Sequence, residues 1–294
     1  EAKIELVVTS GGRFKAALTR AELGQLHLLR SQEDLASIAY VGLRADVVFV
    51  GFPTRFNPPP VWGGQELRSG DIVFHGQGEH MHMRTAGSSE KSFIALKPEH
   101  LAFWSNTLTG TQVLPPTFAR IIRPSRATMS RLRYLHASAC GLVEKSPTTI
   151  AHPEVARAIE QELIHALITC LRPEAPLETR PISRRAAMMN RFEDVLAAHP
   201  DRPLHIPELC SAIGVSERTL RACCAEFLGI TIGRYLRLRR LKLARTALRY
   251  PDSATTSVAE VARRYGFGEP GRFAGMYRAV YGEAPSATLR PRRH

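Results

Sequence analysis

The chain of 294 residues contains few aromatic residues, few acidic residues and no long apolar run. Aromatic residues make up 7% of the sequence, and the aromatic motifs that stack on single-stranded RNA are missing. No segment approaches the roughly 18 apolar residues that span a bilayer, and no signal peptide is visible. We therefore expect a cytoplasmic protein without a membrane segment. Residue 1 is glutamate rather than methionine, which is compatible with a trimmed leader.

The five cysteines do not have the spacing of a metal site. None lies in a distinctive reactive motif, which argues against an alkylation-repair enzyme. Cys223 and Cys224 are adjacent, and Cys210 precedes them on the neighbouring helix. In a reducing cytosol we expect small buried thiols, and redox sensing is the alternative interpretation.

The last hundred residues contain the same unit twice. Segment 206–215 recurs 52 residues later as segment 258–267, and after one inserted residue the match continues at an offset of 53. The later matched pairs are Leu220 with Phe273, Cys224 with Tyr277, Gly229 with Gly282 and Arg237 with Arg290. A repeat of this kind is one supersecondary unit used twice.

Each repeated unit predicts a helix, a glycine turn and a second helix. In the first unit, Leu209 and Ile213 share a helical face, Gly214 ends the helix, and Ser216 is a good N-cap for the next one. In the second unit, Gly266 provides the turn. The pattern is that of a helix-turn-helix, whose second helix enters the major groove of DNA.

A basic and amphipathic segment, residues 230–249, joins the two units. It predicts a helix about 30 Å long at about 1.5 Å per residue, close to the roughly 34 Å of one turn of duplex DNA. A rigid helix of this length would place the two helix-turn-helix units, each of which reads DNA, in successive major grooves. Residues 184–294 also contain 20 Lys and Arg against 10 Asp and Glu, which predicts a polyanionic partner.

The end of the chain resembles the signature of a known family. The residues concerned are Gly266-Phe267, Gly271-Arg272-Phe273-Ala274, Tyr277-Arg278, Tyr281-Gly282-Glu283, Pro285-Ser286 and Leu289-Arg290. They resemble the close of the DNA-binding domain of the AraC/XylS family of bacterial transcription regulators. Segment 209–229 is similar to the branch that contains the ethanolamine-operon regulator. The clear match covers about residues 188–290, and a fainter one surrounds 12–14 and 51–53.

This resemblance implies a monomeric DNA-binding domain with two readers behind an effector or dimerisation domain. The family pattern places base-reading side chains at Arg218, Arg221 and Ala222. The two arginines are three residues apart and face outward, and arginine reads guanine with two hydrogen bonds. The alternative is that both arginines contact only phosphate.

In the second unit the equivalent positions are Gly271, Ala274 and Gly275, which cannot hydrogen-bond to base edges. Ala274 can still touch a thymine methyl. We therefore predict an asymmetric reader, in which the first unit specifies sequence and the second contacts the backbone and senses shape. The predicted phosphate contacts are Ser216, Thr219, Arg234, Arg240, Arg272 and Arg278.

The front of the chain predicts short strands separated by glycine and proline turns. The strand-like runs are 45–52, 72–74, 80–84 and 92–96. They indicate a barrel or sandwich, and the family resemblance implies a small cupin-like barrel. After Pro124 the period changes to that of two amphipathic helices. These helices form either a dimer seam or a cover for their own barrel.

We therefore predict an α+β chain in four parts. A cupin-like effector-sensing barrel spans 1–123, and the helical pair spans 124–172. A proline-rich interdomain linker covers 173–187. An all-α DNA-binding domain, with two helix-turn-helix units joined by a linker helix, covers 188–291.

Two histidines, His80 and His82, alternate onto one face of a predicted strand. Such a pair is compatible with a metal, as in cupin enzymes, but we find no acid and further histidine at the spacing that the enzyme motif requires. The alternatives are the lining of a ligand cavity and a solvated strand face. We predict no metal or cofactor, and we take Trp62, Phe74 and Phe93, with the two histidines, as candidate ligand-binding residues.

These observations predict a bacterial sequence-specific regulator that binds double-stranded operator DNA, and not an enzyme. A small molecule in the front barrel would shift the balance between domain arrangements. Further expected partners are RNA polymerase, if the protein activates transcription, and a second copy of the chain. The alternatives are a metal-dependent cupin-type enzyme fused to a DNA-binding tail, and a regulator whose front half only dimerises.

Overall fold

Two antiparallel β-sheets, packed face to face, form the N-terminal part of the protein. The computed structural model describes residues 3–172, 184–200, 202–251 and 257–289. The strands are β1 (Lys3–Val8), β2 (Ala16–Leu23), β3 (Leu26–Glu33), β4 (Ser37–Gly42), β5 (Val48–Phe56), β6 (Val61–Trp62), β7 (Gln65–Glu66), β8 (Ile72–Phe74), β9 (His80–Thr85), β10 (Ser89–Leu96) and β11 (Arg120–Ile122).

The five-stranded sheet has the order β1-β4-β9-β6-β7, and the six-stranded sheet has the order β11-β8-β5-β10-β3-β2. Apolar side chains from both sheets share one cluster, which contains Met81 and Met83 from the first sheet and Val73 and Phe93 from the second. This arrangement is a cupin-like jelly roll. The predicted cupin-like fold is therefore confirmed in the form of two packed sheets, since among the described strands no pairing joins the two sheets at their edges into a closed barrel.

Four helices of the described residues, one before β11 and three after it, cover the outer face of the six-stranded sheet. They are α1 (Pro98–Thr109), α2 (Arg126–Lys145), α3 (Pro147–Ile150) and α4 (Pro153–Leu171). The predicted pair corresponds to α2 and α4, whose apolar residues Leu132, Ala139, Leu163 and Leu167 are buried in the same cluster as Phe52 of the sheet. These two apolar faces are therefore covered by the chain's own sheet, and a dimer seam would need other residues.

In the described residues the C-terminal part consists of seven helices. They are α5 (Arg184–Ala198), α6 (Ile206–Ile213), α7 (Glu217–Leu228), α8 (Ile232–Arg249), α9 (Val258–Arg264), α10 (Pro270–Tyr281) and α11 (Pro285–Leu289). Because α5 begins at Arg184, the last four residues of the predicted linker are helical, and 173–183 lie outside the described residues. No helix in the described ranges has both the length and the apolar character to cross a bilayer.

The C-terminal helices pack on the outer face of the five-stranded sheet. Val7 of β1 and Ile38 of β4 are buried in the same apolar cluster as the cores of α5, α7 and α8. At this interface Glu193 of α5 is 2% exposed. Its carboxylate accepts hydrogen bonds from His82 Nε2 at 2.9 Å, from the Tyr235 hydroxyl at 2.7 Å and from Arg239 Nη1 at 2.7 Å.

A second contact between the two parts lies in the segment that follows β1. The backbone N–H of Gly12 donates to the carbonyl oxygen of Val280 in the last turn of α10, at 3.2 Å. Arg234 Nη2 donates to the carbonyl oxygen of Thr9 at 2.8 Å. The segment after β1 therefore satisfies one of the free carbonyls that end a helix.

His136 of α2 is buried against the six-stranded sheet, and it predicts an acid-sensitive fold. Its Nε2 donates to the carbonyl oxygen of Phe93 at 3.2 Å, and burial lowers the pKa of the imidazole to about 4 from 6.5. The unfolded state therefore binds more protons between these two pH values, so stability falls as pH drops from 6.5 towards 4. The expected slope reaches about 1.4 kcal/mol per pH unit.

The measurement is the urea midpoint of wild type and His136→Asn at pH 7, 5.5 and 4.5. We expect the variant to be less stable at pH 7 but to lose less stability on acidification. His27→Asn is the matched control, because His27 is more than half exposed. Equal acid sensitivity in wild type and His136→Asn would contradict the prediction.

Candidate nucleic-acid interface

The first helix-turn-helix consists of α6 and α7. Gly214 ends α6 with φ 75°, a left-handed conformation that glycine adopts without strain. The Ser216 hydroxyl then caps α7 by accepting from the backbone N–H of Thr219 at 3.3 Å. Leu209 of α6 and Leu220 of α7 are fully buried. Both helices therefore stand where the sequence predicts, with the turn made by the expected residues.

The second helix-turn-helix repeats this geometry with α9 and α10. Its buried residues Val261, Tyr265, Phe273 and Tyr277 occupy the positions that match Leu209, Ile213, Leu220 and Cys224, which are buried as well. The matched glycines also agree, with φ 75° and 76° in the turns and 67° and 71° after the second helices. The sequence repeat is therefore a repeat in structure.

Arg218, Arg221 and Ala222 lie on the exposed side of α7. Arg221 Nη2 is 2.6 Å from the Glu217 carboxylate one turn earlier, and both side chains are about half exposed. An exposed ion pair of this kind contributes little free energy, so Arg221 can exchange Glu217 for a base or phosphate at small cost. The side of α7 that packs inward carries Cys223, Cys224 and Phe227 instead.

The second reading helix, α10, exposes small and basic residues. Gly271, Gly275, Arg272 and Arg278 are exposed, and Ala274 is half-buried. Arg272 lies within 3.9 Å of Glu269, an exposed pair. The surface of α10 therefore has two arginines, which suit phosphate, and three small residues at the positions predicted to face the bases.

The connecting helix α8 binds the two units together. It begins at Ile232, two residues later than predicted, after the cap Thr231, and its 18 residues span about 27 Å. Arg245 Nη2 donates to the Glu283 carboxylate at 2.9 Å, and its guanidinium lies over the Tyr281 ring at 4.2 Å. This pairing holds α8 against the end of the second unit.

Two predicted phosphate contacts from α8 have other partners in the structure. Arg240 is half-buried, donates weakly to the carbonyl oxygen of Gly266 at 3.4 Å and lies over the Phe267 ring at 5.3 Å. Arg240 therefore lies between α8 and the turn of the second unit, and its predicted contact with phosphate stays a prediction. Arg234 is exposed but donates to Thr9 of the front domain.

The sequence analysis did not recognise the structural role of Arg239, because this residue is one of several basic residues on the same helix. It is 8% exposed and bonded to Glu193, with Glu5 of β1 at 3.4 Å. The available signal was its spacing: Arg239 follows the buried Tyr235 by four residues and so shares its face.

The five candidate ligand residues of the front domain fall into two groups. Trp62, His80 and His82 border a cleft of about 390 Å³, which is lined by residues of both sheets and by α5 and α7. Phe93 stacks under Trp62, with ring centroids 5.7 Å apart. Phe74 does not border this cleft, because it lies on the opposite face of β8 and packs beneath α1, α2 and α4.

His80 and His82 do not form part of a metal-ligand cluster. His82 is bonded to Glu193, and His80 is exposed beside Tyr40. Among the residues that the structure describes, no group of three or more His, Cys, Asp or Glu side chains is arranged to hold a metal. The five cysteines are free thiols, four of them buried, and burial raises the pKa of Cys140 to about 11 and of Cys224 to about 12.

Comparisons with known proteins agree with this geometry. A family model described as a helix-turn-helix domain matches residues 209–291. A probable thc operon regulatory protein from Rhodococcus erythropolis is 33% identical over 49% of this chain and 44% of its own length. The XylDLEGF operon transcriptional activator 1 of Pseudomonas putida is 38% identical over 31% of this chain and 28% of its own length. This chain therefore spans less than half of the length of these two relatives.

One solved structure has a sequence identity to this chain that is close to the values for these two relatives. A probable AraC family transcriptional regulator from Rhodopseudomonas palustris is 30% identical, with 36% of this chain and 99% of that one covered and a TM-score of 0.33. The paired units and the family match define the C-terminal part as a tandem helix-turn-helix DNA-binding domain. Through this domain the chain is similar to regulators of the AraC/XylS type.

Proposed function

We propose that the protein is a transcription regulator that recognises one DNA sequence with α7 and holds the neighbouring backbone with α10. The observation that carries this proposal is the exposure of both reading faces while the domain is docked on the front sheet. The contacts from Thr9 and Gly12 reach the N-terminal end of α8 and the C-terminal end of α10. The N-terminal halves of α7 and α10, which commonly contact bases, are left free.

We assign the base-reading role to Arg218 and Arg221, with Ala222 beside them, and only a methyl contact to Ala274. Ser216, Thr219, Arg272 and Arg278 remain our phosphate candidates, since they lie at or near the exposed side of the two reading helices. Two of the named relatives are regulators of operons, one of them an activator. We propose that this chain has the same kind of activity in the cytoplasm. As an activator it would contact RNA polymerase, and it would pair with a second copy of the chain.

We propose further that a small molecule bound by the front domain controls this activity. Three of the five candidate ligand residues border one cleft, which adjoins α7 and therefore one of the readers. A ligand changes DNA affinity only if it binds two arrangements of the domains with different affinity. A site in contact with both domains fulfils that condition. A metal-dependent enzyme is the less favoured alternative, since Nε2 of His82, a candidate metal ligand, is hydrogen-bonded to Glu193.

The test is selection of a binding site from random duplex DNA by the full chain, followed by single-base substitution across that site. We expect large losses in the half-site under α7, of about 1–3 kcal/mol for each contacted base, and small, shape-related losses in the other half. Equal losses in both half-sites would contradict the asymmetric reader. Selection of no sequence at all would contradict the proposed function.

A further inference from the structure

We infer that the front domain fixes the distance and angle between the two reading helices, α7 and α10, and so decides which spacing of half-sites the protein accepts on DNA. The front domain contacts both helices at the same position of the repeated unit, the glycine that follows each helix, Gly229 and Gly282. Apart from the adjoining residues, the atoms nearest to a Cβ placed on either glycine belong to the front domain. This role of the front domain rests on the proposed function.

The turn after β1 contacts the C-terminal end of α10. The N–H of Gly12 donates to the carbonyl oxygen of Val280 at 3.2 Å. A Cβ at Gly11 would lie only 2.5 Å from the carbonyl oxygen of Ala279, so a side chain at residue 11 would clash with the backbone of α10. Glycine therefore lets the two backbones approach each other closely at this point.

Strand β9 contacts the C-terminal end of α7. A Cβ at Gly229 would lie 2.7 Å from Nη1 and 3.2 Å from Cδ of Arg84. The guanidinium therefore lies beside the end of α7, where unpaired carbonyl groups give a helix a partial negative charge. The front domain thus supplies what the C-terminal end of a helix lacks, a positive charge at α7 and an N–H donor at α10.

Both contacts belong to one sheet, which keeps them at a constant separation. Arg84 of β9 pairs with Ile38 of β4, and Ile38 pairs with Val7 of β1. Neighbouring strands lie about 4.8 Å apart because backbone hydrogen bonds join them. The turn after β1 is held in the same way, since the N–H of Thr9 donates to the carbonyl oxygen of Ala36 at 2.9 Å.

A third contact restricts rotation about the connecting helix α8. A single helix that joins two units sets their distance, but it does not by itself prevent one unit from turning about the helix axis relative to the other. Arg234, near the start of α8, donates to the carbonyl oxygen of Thr9 at 2.8 Å. With contacts at α7, α8 and α10, the sheet holds the two units at three separate points.

The consequence for DNA recognition concerns the spacing between the half-sites. One added base pair moves a half-site by about 3.4 Å and turns it by about 34–36°, since one turn of duplex contains about 10–10.5 base pairs. Two reading helices held at a constant distance and angle fit both half-sites at one spacing. Holding them in this arrangement before DNA binds also lowers the cost of binding. Gly11 and Arg84 are therefore positioning residues, which act on DNA through α10 and α7.

The first test measures affinity for the selected DNA site and for versions of it with one base pair inserted between the half-sites or deleted. Gly11→Ala places a methyl group against α10 without a change of charge, and the φ of residue 11 lies outside the left-handed region. Arg84→Ala removes the contact at α7. Gly141→Ala, on α2, is the matched control, because the space around residue 141 is open.

We expect the insertion to weaken binding by wild type at least about tenfold. For Gly11→Ala and Arg84→Ala we expect the insertion to cost less than about threefold, from an affinity for the selected site that is about three- to tenfold weaker than that of wild type. The base preference within each half-site should be unchanged in both variants. Gly141→Ala should behave as wild type does.

A second test needs no DNA and measures the distance between the reading helices by pulsed electron resonance. Nitroxide labels are attached at Ala225→Cys of α7 and Gly275→Cys of α10, both exposed positions. Cys210→Ser removes the one native thiol that is not buried. We expect a narrow distance distribution when residue 11 is glycine and a broader one in Gly11→Ala, with no change in Gly141→Ala.

Three results would overturn the inference. An equal insertion penalty in wild type and both variants would show that α8 alone sets the spacing. Equally broad distance distributions with glycine and alanine at residue 11 would show that the front domain does not hold the helices. Tighter binding of the selected site by Gly11→Ala would show that the docked front domain hinders DNA binding. Failure of the proposed function would appear separately, as selection of no site, while the distance measurement still decides whether the helices are held.

Discussion

Glu193→Ala is expected to destabilise the protein by about 3–5 kcal/mol, because it removes the nearest carboxylate partner of a buried arginine and the acceptor of two buried polar groups. Arg239 would retain only Glu5, at 3.4 Å, and the Tyr235 hydroxyl and His82 Nε2 would be left without their acceptor. Burial opposes ionisation of Glu193, but the hydrogen bond from His82 and the nearby charges of His82 and Arg239 outweigh it and hold its pKa below the ordinary value. The carboxylate therefore stabilises the fold above its unfolded pKa of about 4.5, and this contribution is lost as pH falls through the lower folded value.

The measurement combines thermal unfolding with hydrogen exchange of β9 and α5. We expect a lower melting temperature and faster exchange at these two elements, since both meet at the interface that Glu193 joins. Glu162→Ala is the control: Glu162 pairs with Arg131 on the surface, and such a pair contributes less than about 1 kcal/mol. A loss no larger than that of the control would show that the domains are held mainly by their apolar contacts.

Arg218→Ala and Arg221→Ala are expected to weaken binding to the selected DNA by about 1–3 kcal/mol each, which is roughly five- to 150-fold. The physical reason is that an arginine bonded to guanine at two atoms discriminates that base from the other three. Each variant should therefore also lose its preference at one base position. The measurement is the dissociation constant on the selected site and on a set of single-base variants of that site.

Arg272→Ala, on α10, provides the contrast between the two readers. We expect it to weaken binding to all sequences alike and to reduce the salt slope by about 1, as loss of a phosphate contact does. Arg131→Ala, on the exposed side of α2, changes the net charge equally and should leave affinity nearly unchanged. If Arg218→Ala weakens every sequence equally, its role is phosphate contact and the assignment of the first reader is wrong.

Local sequence signals predicted the DNA-binding domain well because its turns depend on local chemistry. Gly214 and Gly266 adopt the left-handed conformation that only glycine takes readily, and Ser216 caps the next helix through its own hydroxyl. Burial at matched positions followed the helical period. The exposure of Arg218 and Arg221 follows from the same period, since the buried face of α7 is defined by its apolar residues.

The front domain was predicted less completely because both faces of its sheets are covered. Phe74 and Val73 are neighbours on β8, and each is buried on a different side, Phe74 under helices and Val73 against the other sheet. Alternation shows that two such residues face opposite ways, but it does not show what each face meets. For the same reason the sequence left open that His82 lies on a solvated strand face. In the structure His82 is buried against α5.

The amino-acid sequence alone determined the repeated unit, its glycine turns, the connecting helix and the unequal chemistry of the two readers, because each depends on residues close together along the chain. Only the tertiary structure decided that His82, Tyr235 and Arg239 converge on Glu193, that Arg240 joins α8 to the second unit, and that a cleft forms between the domains. These features join residues that are far apart in sequence, and a buried ionic group is stable only when the whole interface excludes water around it.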